Sequence, residues 1–326
     1  MKPIMPSGQM LSKLHVITVI SNPVRYHSRY EHYENFKRHM EAAGAILHTV
    51  EIAFGDRPFE VTTGGCGTNE IQFRSFDEIW AKENMMQLAL GRLPSDWEYV
   101  AFVDADIMFQ NPYWLQETVQ QLQHYMVVQM FGYAVDLGPK HEIIQTHRSF
   151  VKGYFDEGFK FPNKSKEKIC YYGGYGVNGS FSHPGFAWAY RREALEHLGG
   201  LIDYAILGSA DHHQACALIG EVERTFPSQI HSRYAQKMLR WQERALKYLH
   251  RDIGFVDGTI SHYFHGRKAD RKYVERWSIL VDNDFDPDLD LKRDTQGLYV
   301  WTDHNYKIRD AVRAYFRQRN EDSIDV

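Results

Sequence analysis

Two aspartates one residue apart, Asp104 and Asp106, close the apolar run Trp97-Glu98-Tyr99-Val100-Ala101-Phe102-Val103. In extended backbone, residues i and i+2 point to the same side, so both carboxylates are expected to face one ligand while Ala105 points away. Paired hard oxygen donors suit Mg²⁺ or Mn²⁺, ions that also take phosphate oxygens. The same triplet serves elsewhere as a solvated strand-end turn or the N-cap of a following helix. A second chemistry-bearing group is Ser261-His262-Tyr263-Phe264-His265-Gly266-Arg267-Lys268. On a strand, His262 and His265 would face opposite sides, so one ion held by both requires a bend at Gly266. An imidazole ligand favours Mn²⁺ over Mg²⁺. Arg267, Lys268, Arg271, Lys272 and Arg276 crowd in behind. Fixed cations stabilise charge growing on a departing phosphate, and Lys268 and Arg271 are the two expected to touch it. A solvated basic helix face is the alternative.

Other patterns fail on context. Gly174-Tyr175-Gly176-Val177-Asn178-Gly179 satisfies G-x-G-x-x-G, but Ser180-Phe181-Ser182-His183-Pro184 cannot open the helix that a dinucleotide fingerprint needs. A mobile loop beside the site is the expectation there. Asp284, Asp286, Asp288 and Asp290 imitate a calcium loop, yet Leu289 replaces its glycine and Thr295 its glutamate. Lys237, Arg240, Arg244, Lys247 and Arg251 form one stripe of an amphipathic helix, beside an apolar stripe of Met238, Trp241, Ala245 and Tyr248. That is an ordinary surface helix or a face that tracks the phosphates of DNA.

The elements that must position these groups follow from apolar periodicity. Strands are predicted at 14–20, 46–54, 98–103, 125–131, 186–190 and 259–264. Helices are predicted at 30–43, 112–123, 191–198, 210–219, 231–251 and 304–318. Another should run from a capping box at Ser75 and Glu78 to Gly91. Residues 138–182 show no lasting period and read as a long loop or inserted lobe. Strands alternating with helices predict an α/β fold around a mostly parallel sheet, which binds ligands at the carboxyl ends of its strands.

The 326 residues carry 38 Lys and Arg against 42 Asp and Glu, a net charge of −4, so the molecule as a whole is no polyanion binder. No apolar run approaches a membrane span, and no signal peptide is read at the start. Cys66, Cys170 and Cys216 are too few and scattered for a disulfide framework, which points to the cytoplasm. The sequons at Asn163 and Asn178 carry no meaning there.

Taken in order, three segments resemble the GT-A-fold glycosyltransferases. They are Val103-Asp104-Ala105-Asp106-Ile107, the stretch from His183 to Asp203 that contains Gly199-Gly200-Leu201-Ile202-Asp203, and Leu207-Gly208-Ser209-Ala210-Asp211-His212-His213. The resemblance is greatest to glycosyltransferases common in bacteriophage and large viral genomes. It implies a GT-A catalytic unit over residues 10–280, with 281–326 as a C-terminal helical extension. It implies that Asp104 and Asp106 hold a metal on a nucleotide-diphosphate sugar (a UDP-sugar above all), that His262 joins them, and that Asp211 is the base of an inverting transfer. The family's commoner Glu-Asp is Ala210-Asp211 here, so an acceptor contact is missing. On the donor side it implies Asn22, Arg25 and Tyr26 after the first strand, with Ser21 and Arg29 beside them, then Lys82 and Asn84, and His265, Lys268 and Arg271. Trp188, His212 and His213 are expected on the acceptor side. The acceptor implied is a hydroxymethylated pyrimidine in phage DNA, with a surface-glycan precursor as its rival. A nucleotidyltransferase and a non-catalytic carbohydrate-binding protein are the readings from other classes. The first lacks its glycine-rich phosphate loop, since Ser21–Arg29 contains no glycine.

Overall fold

Leu14–Ser21 (β1) is buried along nearly its whole length, the condition of a strand covered on both faces inside a parallel sheet. In the computed structural model, which describes residues 8–65, 69–160 and 182–325, this strand is the middle of the fold. It follows a short helix, α1 (Gly8–Leu11), and leads through α2 (His27–Ala42) to β2 (Ile46–Phe54) and β3 (Glu70–Ser75). Next come α3 (Lys82–Leu90), β4 (Tyr99–Val103), β5 (Ile107–Phe109), α4 (Trp114–Gln121) and β6 (Val127–Gln129). β7 (Tyr133–Leu137), β8 (Ile143–Ser149), α5 (Phe150–Asp156) and β9 (Ser182–His183) follow. The chain then forms β10 (Ala187–Arg191), α6 (Arg192–Leu198), α7 (Ala210–Ile219), α8 (Ser232–Arg244), β11 (Ile253–Phe255) and β12 (Thr259–His262). It ends with α9 (Trp277–Asp282), the hairpin of β13 (Leu291–Arg293) and β14 (Tyr299–Trp301), and α10 (Tyr306–Gln318).

The main sheet has the order β11-β6-β10-β4-β1-β2-β3. All its strands run parallel except β10, which is antiparallel to β4 and β6. The protein is therefore α/β, with a large, mostly parallel sheet flanked by helices. Alternation divides two cores. Ile17, Val50, Phe73 and Phe102 pack with Met85, Leu198 and Trp241, while Val16, Ala101 and Val103 pack with Tyr33, Phe36 and Trp114. From β1 the chain builds β2 on one side and β4 on the other, so strand order reverses between β1 and β4. A five-stranded sheet, β5-β12-β7-β8-β9, stands beyond the end of β4 and supplies the far wall of the crevice.

Three expectations are corrected. Ser75 is the last residue of β3, and its hydroxyl accepts from the Asp77 amide at 3.0 Å, so it caps no helix; α3 begins only at Lys82. Residues 138–182, read as a long loop or inserted lobe, are no plain loop, for they contain β8 and α5, the latter capped by Ser149 accepting from Lys152 N at 3.1 Å. The strand expected over 125–131 is only Val127–Gln129. The glycine-rich 174–179 segment, Cys66, Cys170 and both sequons lie outside the described residues. The four-aspartate turn is internal structure, with Asp286 paired to Arg233 at 2.6 Å and Asp290 to His304 at 2.7 Å. No helix among the described residues is long and apolar enough to cross a membrane.

Candidate active site

A cavity of about 690 Å³ opens at the carboxyl ends of β1 and β4, lined by Ser21, Asp104, Ala105 and Asp106 from those ends. This is the crevice that strand-order reversal creates. The two aspartates line the same cavity but have different partners. The chain leaves strand geometry at Val103 and turns through Ala105-Asp106, so the same-side rule for extended backbone lapses. Asp104 accepts a hydrogen bond from Lys82 Nζ at 2.9 Å. Burial raises its pKa, more than Lys82 lowers it. Asp106 faces two histidines instead, with Oδ2 at 3.1 Å from His265 Nε2 and 3.8 Å from His262 Nε2. Its other oxygen, Oδ1, is buried with no hydrogen-bond partner among the described residues.

His262 and His265 meet despite the opposite-sides expectation. His262 is the last residue of β12, and the turn ending at Gly266, whose φ is +80°, brings His265 back until the two Nε2 atoms are 3.0 Å apart. Only glycine suits that turn, because a Cβ there would come within 2.7 Å of the Asn320 carbonyl oxygen. Asp136, beside His262 on paired strand β7, contacts His262 Nδ1 at 2.8 Å. That contact holds the ring with Nε2 turned to His265 and Asp106. Asp136 also contacts His147 Nε2 at 2.6 Å and accepts from Lys268. Burial opposes its charge, yet these donors hold its pKa far below the carboxylate range. Burial likewise opposes charge on His262, but Asp106 and Asp136 prevail and push its pKa up to about 9. Burial and Arg271 push His265 down to about 3.

Asp106, His262 and His265 offer three ligand atoms within 4.8 Å of one another, and Asp104 is not among them. A carboxylate with two imidazoles is a donor set for a transition-metal dication, and the orphaned Asp106 oxygen is what a cation would satisfy. The residues present fit such an ion.

Lys82, Glu83 and Asp211 line the same cavity. Burial works against the Lys82 charge, but Asp104, Glu83 and Asp211 outweigh it and hold its pKa above the lysine range. Burial pushes Glu83 up to about 7. Asp211 stands in the first turn of α7 and packs against Gly185, where a Cβ would come within 2.5 Å of Oδ2. His183 lies flat on Phe186, ring centroids 3.9 Å apart, and both line the cavity. Of the cations, Lys268, Arg271, Lys272 and Arg276 line the wall, while Arg267 turns away to Asp270 at 3.1 Å. Arg271 is 6 % exposed and its Nε has no partner.

Several expected site residues stand outside the cavity. Asn22 spans its own turn to Tyr26, accepting from the Tyr26 amide at 2.9 Å and donating to its carbonyl at 2.8 Å. Arg25 pairs with Glu60 at 2.6 Å, and the Tyr26 hydroxyl donates to the Phe316 carbonyl at 3.0 Å. Asn84 is fully buried and accepts from Tyr299 N at 3.0 Å. Trp188 is a core residue whose indole donates to the Pro184 carbonyl at 2.7 Å. His212 is buried beside His213, and His213 contacts Thr225 Oγ1 at 2.6 Å and Tyr234 OH at 3.0 Å. These polar groups satisfy backbone and core, the more frequent employment of such residues. Sequence reasoning missed Asp136, His147, His183 and Glu83. An acid inside the strand Tyr133–Leu137 was the one available signal. On α8 and its extension, Lys237 pairs with Asp288 at 2.6 Å, Arg244 donates to the Leu198 carbonyl at 2.7 Å, and Arg251 donates to the Ile219 carbonyl at 3.1 Å. Three of the five cations in that stripe are thus engaged within the molecule.

No protein-family model matches the sequence, and no curated protein is significantly similar to it. Solved structures are similar at a distance. A protein assigned as a nucleotide-diphospho-sugar transferase from Desulfovibrio desulfuricans G20 is 9% identical with a TM-score of 0.34, covering 94% of this chain and 98% of that one. The Drosophila β1,4-galactosyltransferase 7 in complex with manganese, UDP-Gal and xylobiose is 12% identical with a TM-score of 0.33, covering 62% of this chain and 59% of its own. The 4-diphosphocytidyl-2C-methyl-D-erythritol synthase of Anaerococcus prevotii is 10% identical with a TM-score of 0.33, covering 77% and 90%. The chain thus spans less than two thirds of the galactosyltransferase. Likeness of this degree assigns no activity, so the functional reading rests on the cavity itself.

Proposed function

We propose that this protein is a metal-dependent glycosyltransferase that moves a sugar from a nucleotide-diphosphate donor to an acceptor hydroxyl with inversion. The observation that carries the reading is the convergence of Asp106, His262 and His265, with an unsatisfied Asp106 oxygen, in a strand-end cavity walled by cations. These three residues would hold the ion, and Mn²⁺ suits their imidazoles better than Mg²⁺. When bound, it supplies positive charge to the donor diphosphate.

The chain's own residues account for the rest. Lys268 and Arg271 receive the diphosphate and stabilise its growing charge as the sugar–oxygen bond breaks, the electron pair leaving on the phosphate oxygen. Arg271 suits this role because its buried Nε lacks an acceptor. Asp211 takes the acceptor hydroxyl proton while the acceptor oxygen bonds to the anomeric carbon from the opposite face, assistance worth ~10²–10⁴-fold. Lys82 holds Asp104 in place beside it. The nucleotide end rests near Ser21 and Arg29 at the end of β1.

The test is a panel of sugar nucleotides with Mn²⁺, scored by nucleotide release from the wild type and from Asp106→Asn and Asp211→Asn. Hydroxymethylcytosine DNA and a lipid-linked glycan precursor serve as acceptor arms, since the phage-type resemblance suggests the first. Release by the wild type alone, with an inverted anomeric centre in the product, supports the reading. Retained configuration removes the role given to Asp211, and release that is indifferent to Asp106 removes the metal.

A further inference from the structure

One part of the cavity wall is not used by the metal, the diphosphate or the base. Gly208, Trp80 and Arg276 converge there: a Cβ on Gly208 would lie 3.3 Å from Arg276 Nη1 and 3.7 Å from Trp80 Nε1. Arg276 is 6 % exposed. Its guanidinium donates to Ser209 Oγ and, at 3.3 Å, to Tyr315 OH, and stands over the Tyr273 ring at 5.0 Å. Among the described residues it has no carboxylate partner. Trp80 Nε1 is buried without an acceptor among the described residues. A buried guanidinium without a counter-charge is costly, and a second unmet donor beside it points the same way. Both groups line the cavity, so an anion entering it can satisfy them.

Arg276 and Arg271 meet at Tyr315, whose hydroxyl donates to the Arg271 carbonyl at 3.0 Å and accepts from Arg276 at 3.3 Å, but their other ties diverge. Lys268 is tied to Asp136, and Arg271 to the His265 carbonyl, both within the metal-ligand cluster. Arg276 is tied instead to Ser209, the N-cap of α7, two residues before Asp211. Whatever Arg276 grips therefore lies beside Asp211.

We propose that Arg276 and Trp80 form a second anion subsite, and that the acceptor carries a carboxylate or phosphate near its attacking hydroxyl. The proposal rests on the glycosyltransferase reading for the word acceptor, while the subsite itself does not. The test uses the full chain with Mn²⁺ and saturating UDP, titrated calorimetrically with sulfate as the tetrahedral probe and acetate as the carboxylate probe. Sulfate or acetate should bind alongside UDP, the stronger of the two naming the acceptor's charged group. Arg276→Gln should weaken that probe at least tenfold and UDP by less than twofold. Trp80→Phe, which keeps the ring and removes the N–H, should weaken the probe several-fold and serves if Arg276→Gln does not fold. Displacement of the probe by UDP, equal weakening of both ligands by Arg276→Gln, or no binding of either probe overturns the proposal. If UDP does not bind, the donor reading fails, and the same titrations without UDP decide the subsite.

Discussion

Asp104 and Asp106 are one residue apart but have different partners, and the difference is testable. Asp106 has two imidazoles within 4 Å and a free buried oxygen, whereas Asp104 is committed to Lys82. Asp106→Asn should therefore lose Mn²⁺ affinity by at least the ~10–100-fold that loss of an outer partner costs, while Asp104→Asn loses clearly less. Calorimetric Mn²⁺ titration of both variants checks the order, and equal losses would restore the shared-ligand expectation. Asp136 acts through His262, so Asp136→Asn should cost ~10–100-fold in metal affinity with the three ligands intact. Asp136→Glu should recover part of that loss, which a merely structural role would not do. The sequence made Asp104, Asp106, His262, Lys268, Arg271 and Asp211 visible because each sits at a strand or helix end with chemistry-bearing neighbours. Asp136 stayed hidden because its partner is 126 positions away and only the parallel pairing of β12 with β7 joins them.

Elements were legible where one period governed them and illegible where tertiary contacts did. β1 and β2 are largely apolar, broken by His15, Thr18, His48, Thr49 and Glu51, and α2, α7 and α10 keep helical spacing to their ends. β3 hid behind the serine at its end, and β8 exposes Ile143 while burying His147, the reverse of what hydrophobicity suggests. The small sheet that shapes the metal site was mostly invisible for that reason: its strands are short, and Asp136, His147 and His262 are polar residues buried among them. The same inversion places His15 and His48 between β1 and the start of β2, with ring nitrogens 2.9 Å apart. Burial pushes His48 from 6.5 down to about 4. The folded pKa is the lower one, so the unfolded chain binds the extra proton. Stability is complete above pH 6.5 and falls as the pH drops through 4, by about 3 kcal/mol in all. Urea unfolding at pH 7.5, 5 and 4 should show this slope in the wild type and a shallower one in His48→Asn. Parallel slopes would assign the acid sensitivity to other groups.

At the scale of the molecule, the C-terminal segment returns to the start of α2 and backs the cavity there. Asp322 accepts from His27 N at 2.8 Å and Ser28 N at 2.9 Å, capping α2, which has no side-chain cap of its own. Glu321, 1 % exposed, accepts from Arg29 at 2.8 Å and pairs with Arg319, two guanidiniums that line the cavity. The two acidic residues are adjacent but their loss should differ. Asp322→Ala removes an exposed cap, worth about 1 kcal/mol, and should leave nucleotide affinity unchanged. Glu321→Gln leaves the buried Arg319 and the half-buried Arg29 without their shared counter-charge, a loss on the order of 3–5 kcal/mol, and frees both to shift toward the cavity. UDP affinity should change in that variant even at temperatures where it remains folded. Urea unfolding paired with UDP titration separates the outcomes. If both substitutions cost the same and neither alters UDP binding, the tail only caps α2. If Glu321→Gln alone changes both, the last turn of the chain is part of the site's electrostatics, and the 281–326 segment is inseparable in function from the sheet it packs against.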